Sequence, residues 1–154
     1  MALNKQPIFT ATPLLITDQF DPQIPTTLRN PGMDNYDTIY TDESDYGSLI
    51  TKVTVVSTGL VGDRVITKVI YLGIKDKNTG VASLYQSKVM TGISTITSSD
   101  IVPYVTFEFG GGLVMNKLNG HRLVIAASTN RDTTGYDGDQ ISVIVEGGTY
   151  DQPA

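Results

Sequence analysis

Short apolar runs with a period of two, separated by turn residues, restrict what this chain can become. In the run from 141 to 146, Ile141, Val143 and Val145 share one face, and Ser142, Ile144 and Glu146 share the other. Val105, Phe107 and Phe109 alternate in the same way with Tyr104, Thr106 and Glu108. Successive side chains of an extended chain point to opposite sides, so this alternation describes half-buried strands. No stretch repeats at helical spacing. About eight such runs, roughly ten residues apart with turn signals between them, predict an all-β antiparallel fold: a two-sheet β-sandwich or jelly roll of about eight strands, with an extended N-terminal arm.

Taken in order, the runs suggest where each strand lies. Thr38-Ile39-Tyr40-Thr41 is β-prone and ends in the acidic Asp42-Glu43-Ser44-Asp45. Leu49, Val53 and Val55 alternate with Lys52 and Thr54, which predicts a strand with those three facing the core. Between Arg64 and Ile74 both parities carry large residues, so cover on both faces, or a nearby interface, is expected. Asp76-Lys77-Asn78-Thr79-Gly80 has the Asn and Gly of a hairpin turn. The returning strand, Val81 to Val89, is expected to pack through Leu84 and Val89. Gly110-Gly111-Gly112 reads as one strand's end and Gly147-Gly148 as another's, because glycine has no side chain to pack and loses the most entropy on ordering. Leu123–Ala127 and Ile141–Val145, flanking a polar stretch, read as a hairpin that completes one sheet.

Prolines divide the chain. Five of the seven stand at 7, 13, 22, 25 and 31. Each fixes φ, removes a donor and disfavours helix in its predecessor, so neither a helix nor a central strand is expected there. Yet this segment also carries Ile8, Phe9, Leu14, Leu15, Ile16, Phe20 and Ile24, more apolar side chains than a solvated tail keeps. The reading is a Pro-rich extended arm over 1–35 followed by a β-sandwich domain over 36–154. The arm either straps its own domain or lies on a neighbour. Fully extended, 35 residues reach on the order of 100 Å, farther than one domain is wide. The seven apolar residues named are then candidate assembly contacts.

Composition excludes several function classes. At 154 residues and 40% hydrophobic content, a single domain with a core is possible. The net charge of -5 argues against nucleic-acid binding, which needs a basic patch. The lack of cysteine excludes disulfides, thiolate metal sites and a cysteine nucleophile. No apolar run approaches the roughly 18 residues of a membrane-spanning helix. The first residues, MALNKQPIFTATP, lack a signal peptide's apolar segment, which suggests synthesis in the cytoplasm.

Chemistry is sparse. His121 is the single histidine, with no second histidine or cysteine to complete a metal site and no Gly-x-Ser-x-Gly elbow to pair with. Asp132, Asp137 and Asp139 cluster in a loop with Arg131 and Tyr136, but their spacing is not that of an EF-hand, and Asp with Gly is ordinary turn chemistry. The five read better as an exposed loop tip than as a metal site. Gly110-Gly111-Gly112 lacks the following Lys-Ser/Thr of a phosphate loop. Tyr36, Tyr40, Tyr46 and Tyr136 suit interfaces or the core edge. Tyrosines could also stack on sugar rings, although the chain has no tryptophan. No cofactor is expected, and no enzymatic activity.

Several short motifs then occur in a familiar order: Asn4-Lys5-Gln6-Pro7, Thr10-Ala11-Thr12-Pro13, Thr38-Ile39-Tyr40-Thr41, Gly47-Ser48-Leu49-Ile50, Tyr71-Leu72, Leu118 to Leu123, and the closing Val143 to Asp151. This order resembles small virion proteins of tailed bacteriophages, β-sandwich pieces that decorate heads or join tail and fibre parts. The resemblance covers most of the chain, its motifs are structural, and it transfers no catalytic residue. It implies a non-enzymatic capsid decoration (cement) or tail accessory protein, present in many copies in the virion. Its partners would be other virion proteins and further copies of itself, not nucleic acid or membrane. The alternative from the residues is a carbohydrate- or receptor-binding sandwich that uses tyrosine and aspartate on loops such as Thr129–Gln140.

Overall fold

The computed structural model describes residues 12–20, 36–42, 46–57, 67–76, 78, 80–93, 102–115, 120–129 and 141–150. Eight strands cover most of them: β1 (Thr12–Phe20), β2 (Asp37–Thr41), β3 (Ser48–Ser57), β4 (Lys68–Asp76), β5 (Ala82–Met90), β6 (Tyr104–Met115), β7 (His121–Thr129) and β8 (Ile141–Thr149). Among the described residues there is no helix. One four-stranded sheet runs β1-β8-β3-β6 and the other β2-β7-β4-β5, every ladder antiparallel.

That order has a simple origin. β4 pairs with β5, β3 with β6, β2 with β7 and β1 with β8. The chain is thus one long antiparallel ribbon whose tip is the β4–β5 turn. Rolling the ribbon adds the β3–β8 and β4–β7 ladders and makes two facing sheets. This is the jelly-roll arrangement, and it bears out the expected fold class. At the tip the Asp76 amide donates to the Val81 carbonyl (3.0 Å) and the Gly80 amide to the Asp76 carbonyl (2.8 Å). Gly80 takes φ 69°, a conformation L residues avoid.

β7 and β8 do not form the expected hairpin. They belong to opposite sheets, β7 beside β2 and β4, β8 beside β1 and β3. The polar stretch between them is far longer than the two to five or so residues of a hairpin loop, and a connection of that length suits a crossing between sheets.

The core lies between the sheets. Val53, Val55, Ile70, Leu72, Phe107, Leu123, Ile125, Ile141, Val143 and Val145 are buried there. Each such side chain contributes about 1.5–3 kcal/mol when fully buried. Ile50, not Leu49, joins Val53 and Val55, although it has the opposite parity. The ladders to β6 and β8 both shift register between Ile50 and Lys52, so Thr51 is an extra residue that flips the alternation. Its hydroxyl donates to the Glu146 carbonyl at 3.1 Å.

The two glycine runs lie within strands, not at their ends. β8 continues through Gly147 and Gly148 to Thr149. A Cβ on Gly147 would stand 2.0 Å from the Leu49 carbonyl oxygen, so glycine is what lets β8 pass the β3 bulge. β6 likewise continues through Gly110–Gly112 to Met115. Between Lys52↔Glu108 and Ile50↔Leu113 it uses more residues than β3 does, and Gly112, at φ 86°, absorbs the excess under the Leu49 side chain.

β5 also departs from expectation. Leu84 and Val89 are exposed, and Met90 is the buried residue. A register shift at Leu72/Gly73 and the pairing Val69↔Val89 put Leu84 and Val89 on the outward side. The expected two-sided cover of 64–74 holds for β4. Ile70 and Leu72 face the main core, while Tyr71 joins a second cluster with Tyr36, Val124 and Ala126.

The N-terminal segment contributes a strand to the body. β1, within 1–35, pairs along its whole length with β8, from Thr12↔Thr149 to Phe20↔Ile141. It is an edge strand with Pro13 near its start, where a missing N–H is tolerated.

Candidate functional site

The anticipated site residues fall into two groups. Ile8, Phe9 and Ile24, together with Arg131, Asp132, Tyr136, Asp137 and Asp139, lie outside the described residues. Leu14, Leu15, Ile16 and Phe20 lie on β1. Ile16 is partly buried against the main core, and Leu15 is 68% exposed. On β1, then, Ile16 serves its own body and Leu15 is turned to solvent. Of the tyrosines, Tyr36 and Tyr40 are buried, Tyr46 is exposed and Tyr136 is outside the described residues.

Two clefts among the described residues bear on function. One, of about 450 Å³, is lined by Ile74, Asp76, Val81, Ser83 and His121 near the β4–β5 turn. It gathers a serine, a histidine and an aspartate, with Asp76 and His121 directly paired across the β4–β7 ladder. Asp76, however, serves its own turn: its carboxylate accepts from the Asn78 amide at 2.8 Å. A nucleophilic relay would need that carboxylate to orient the imidazole. The other cleft, of about 500 Å³, is an open depression over β1 and β8 lined by Thr17, Asp18, Ser142, Val143 and Ile144. Among the described residues no three of His, Asp and Glu come together to hold a metal.

The buried polar groups are structural. The Tyr40 hydroxyl lies 2.7 Å from Ser48 Oγ and 3.3 Å from Asp42 Oδ1, all three residues being buried. A carboxylate only accepts, so the tyrosine proton goes to Asp42 while Ser48 donates to the tyrosine oxygen. This group fastens the β2–β3 crossing from one sheet to the other. Burial pushes the Tyr40 hydroxyl above its ordinary pKa of 10.0; the neighbouring Asp42 adds to the rise and the Ser48 hydrogen bond opposes it. Burial, with Tyr71 beside it, does the same to Tyr36. At the other end of the sandwich Lys68, 1% exposed, donates to Ser57 Oγ at 3.3 Å.

Most exposed apolar side chains among the described residues stand on or beside two strands, β5 and β6. Among the described residues nine large hydrophobic side chains are exposed, and seven of them stand on β5, β6 or the residues leading into those strands. Leu84, Tyr85 and Val89 are on β5, and Tyr104 and Val114 on β6, the last three at 60%, 60% and 63% exposure. β5 and β6 are edge strands of the two sheets and lie against each other. Lys88 Nζ donates to the Thr106 carbonyl and sits 5.5 Å from the Phe107 ring centre; Tyr85 and Phe109 meet at 5.7 Å. These contacts join the two edges, while Leu84 and Val89 face outward from one sheet and Tyr104 outward from the other. The sequence reading missed this exposure, because period-two alternation separates two faces without saying which is covered.

No family model matches the chain, and no characterised protein sequence does. Solved structures give distant likenesses. A chain of tomato aspermy virus is similar at 12% identity and a TM-score of 0.45, over 96% of this chain and 86% of that one. The VP2 subviral particle of infectious bursal disease virus is similar at 17% identity and a TM-score of 0.31, over 96% of this chain and 35% of that one. This chain spans about a third of the length of the bursal disease virus chains. Likeness this remote carries no functional argument, and the architecture rests on the strand order itself.

Proposed function

We propose that this chain is a non-enzymatic structural subunit of a virion, assembled in many copies, and within that class a head decoration or tail accessory protein of a tailed bacteriophage. The observation that carries the reading is the strand order β1-β8-β3-β6 facing β2-β7-β4-β5, a jelly roll of the kind used by capsid domains as well as lectins and cupins. Fold alone does not fix function. The order of motifs from Asn4 to Asp151 supports the virion reading over the other two, and so does an apolar edge where a lectin or cupin would need convergent polar groups. The mechanism is geometric. A rigid sandwich offers edges and apolar anchors to its neighbours, and repetition turns weak contacts into a stable lattice, because later contacts form within an existing complex.

The test is to fractionate particles into heads and tails on a gradient and quantify this chain by mass spectrometry. Recovery in one fraction at a fixed ratio to the major shell or tube protein is the expected result. Absence from purified particles overturns the reading.

A further inference from the structure

We propose that the β6 edge is an interface between two copies of this chain, joined antiparallel about a twofold axis. The inference deepens the multi-copy reading above by naming the surface and its occupant. Three observations support it.

First, of the nine large apolar side chains exposed among the described residues, Val102, Tyr104 and Val114 stand on β6 or lead into it. Patches of this kind mark association surfaces. Second, the edge suits a second copy electrically. The chain carries a net charge of -5, which opposes self-association elsewhere on the surface, but residues 81–90 and 102–115 together hold one cation, Lys88, and one anion, Glu108. Third, the body does not require its exposed glycines. A Cβ on Gly110 or Gly111 would meet nothing within 4 Å, and neither takes a positive φ, in contrast to Gly112. Glycine in a strand costs about 0.5–1 kcal/mol relative to alanine, so glycines that nothing internal demands point to a close approach from outside.

An antiparallel register centred on Phe107 satisfies all three. It sets Thr106 of one copy opposite Glu108 of the other, so no two like charges stand directly opposite in the pair. It also sets the exposed Tyr104 opposite Gly110, where an aromatic ring covers a glycine across an antiparallel pair. All these residues share the outward parity of β6. The contact is isologous, so it closes at two copies and leaves the β1 edge free.

The test measures the dissociation constant of the full chain by analytical ultracentrifugation, with circular dichroism to confirm folding. Wild type should dimerise. Tyr104→Glu should weaken the dimer by about tenfold or more. Leu15→Glu, the same charge change on the opposite edge, should leave it unaltered. A chain that is monomeric at every concentration, a dimer indifferent to Tyr104→Glu, or one broken equally by Leu15→Glu overturns the proposal. Particle association is read separately. A monomer that still joins particles defeats only this interface, and a dimer absent from particles defeats only the virion reading.

Discussion

Single side chains in this fold separate groups that are buried with partners from groups buried without them. Tyr40 is engaged by Asp42 and Ser48, whereas the Tyr36 hydroxyl is buried with no hydrogen-bond partner among the described residues. An unsatisfied buried hydroxyl costs about 1–3 kcal/mol, and removing one of two paired groups costs a similar amount. Tyr36→Phe should therefore be neutral or stabilising by about 1 kcal/mol, and Tyr40→Phe destabilising by about 1–3 kcal/mol, as read from urea midpoints at constant m. Both hydroxyls are raised above 10.0 in the folded chain. The unfolded chain then loses its tyrosine protons first. Stability is complete below pH 10 and falls as pH rises through the folded values. In the Tyr36→Phe/Tyr40→Phe double variant the alkaline limb of a stability–pH curve should flatten. Neither role was legible in the sequence, where Tyr36 and Tyr40 looked alike as edge aromatics. The difference depends on Ser48, brought in from the next strand.

Strands were easier to anticipate than their irregularities. The alternation in 105–109 and 141–145 named its core faces correctly, with Phe107, Val143 and Val145 inside. It failed where a bulge intervened, because one extra residue such as Thr51 reverses every later side chain and leaves no mark in a hydrophobicity pattern. The glycine runs misled for a related reason. Glycine ends a strand when it merely has nothing to pack, but Gly147 is held inside β8 by contact with β3. Gly147→Ala would set a Cβ 2.0 Å from the Leu49 carbonyl oxygen and should destabilise by at least about 3 kcal/mol, or abolish folding in a thermal melt. Gly111→Ala meets open space and should change stability by less than about 1 kcal/mol, in the stabilising direction.

At the scale of the whole molecule, the sequence showed two sheets but not their membership. The crossing of β7 and β8 into opposite sheets follows from the rolled ribbon, a long-range property. So does the capture of β1, which composition had set apart as an arm. Deleting 1–20 should consequently expose the β8 edge and lower Tm by on the order of 10 °C, whereas Leu15→Ser should leave Tm within about 2 °C in the same calorimetric comparison. The β1–β8 ladder also puts the assembly of this protein on a clock. Its first described strand has no partner until one of its last has left the ribosome, since Phe20 pairs with Ile141. From the emergence of β1 to that of β8 a nascent chain therefore has to hold β1 in waiting, and the sheet closes only after translation has passed Thr149. Copies that meet too early, before that closure, can exchange β1 strands with one another. In a crowded polysome the same ladder that completes one subunit is then a route to tangled ones.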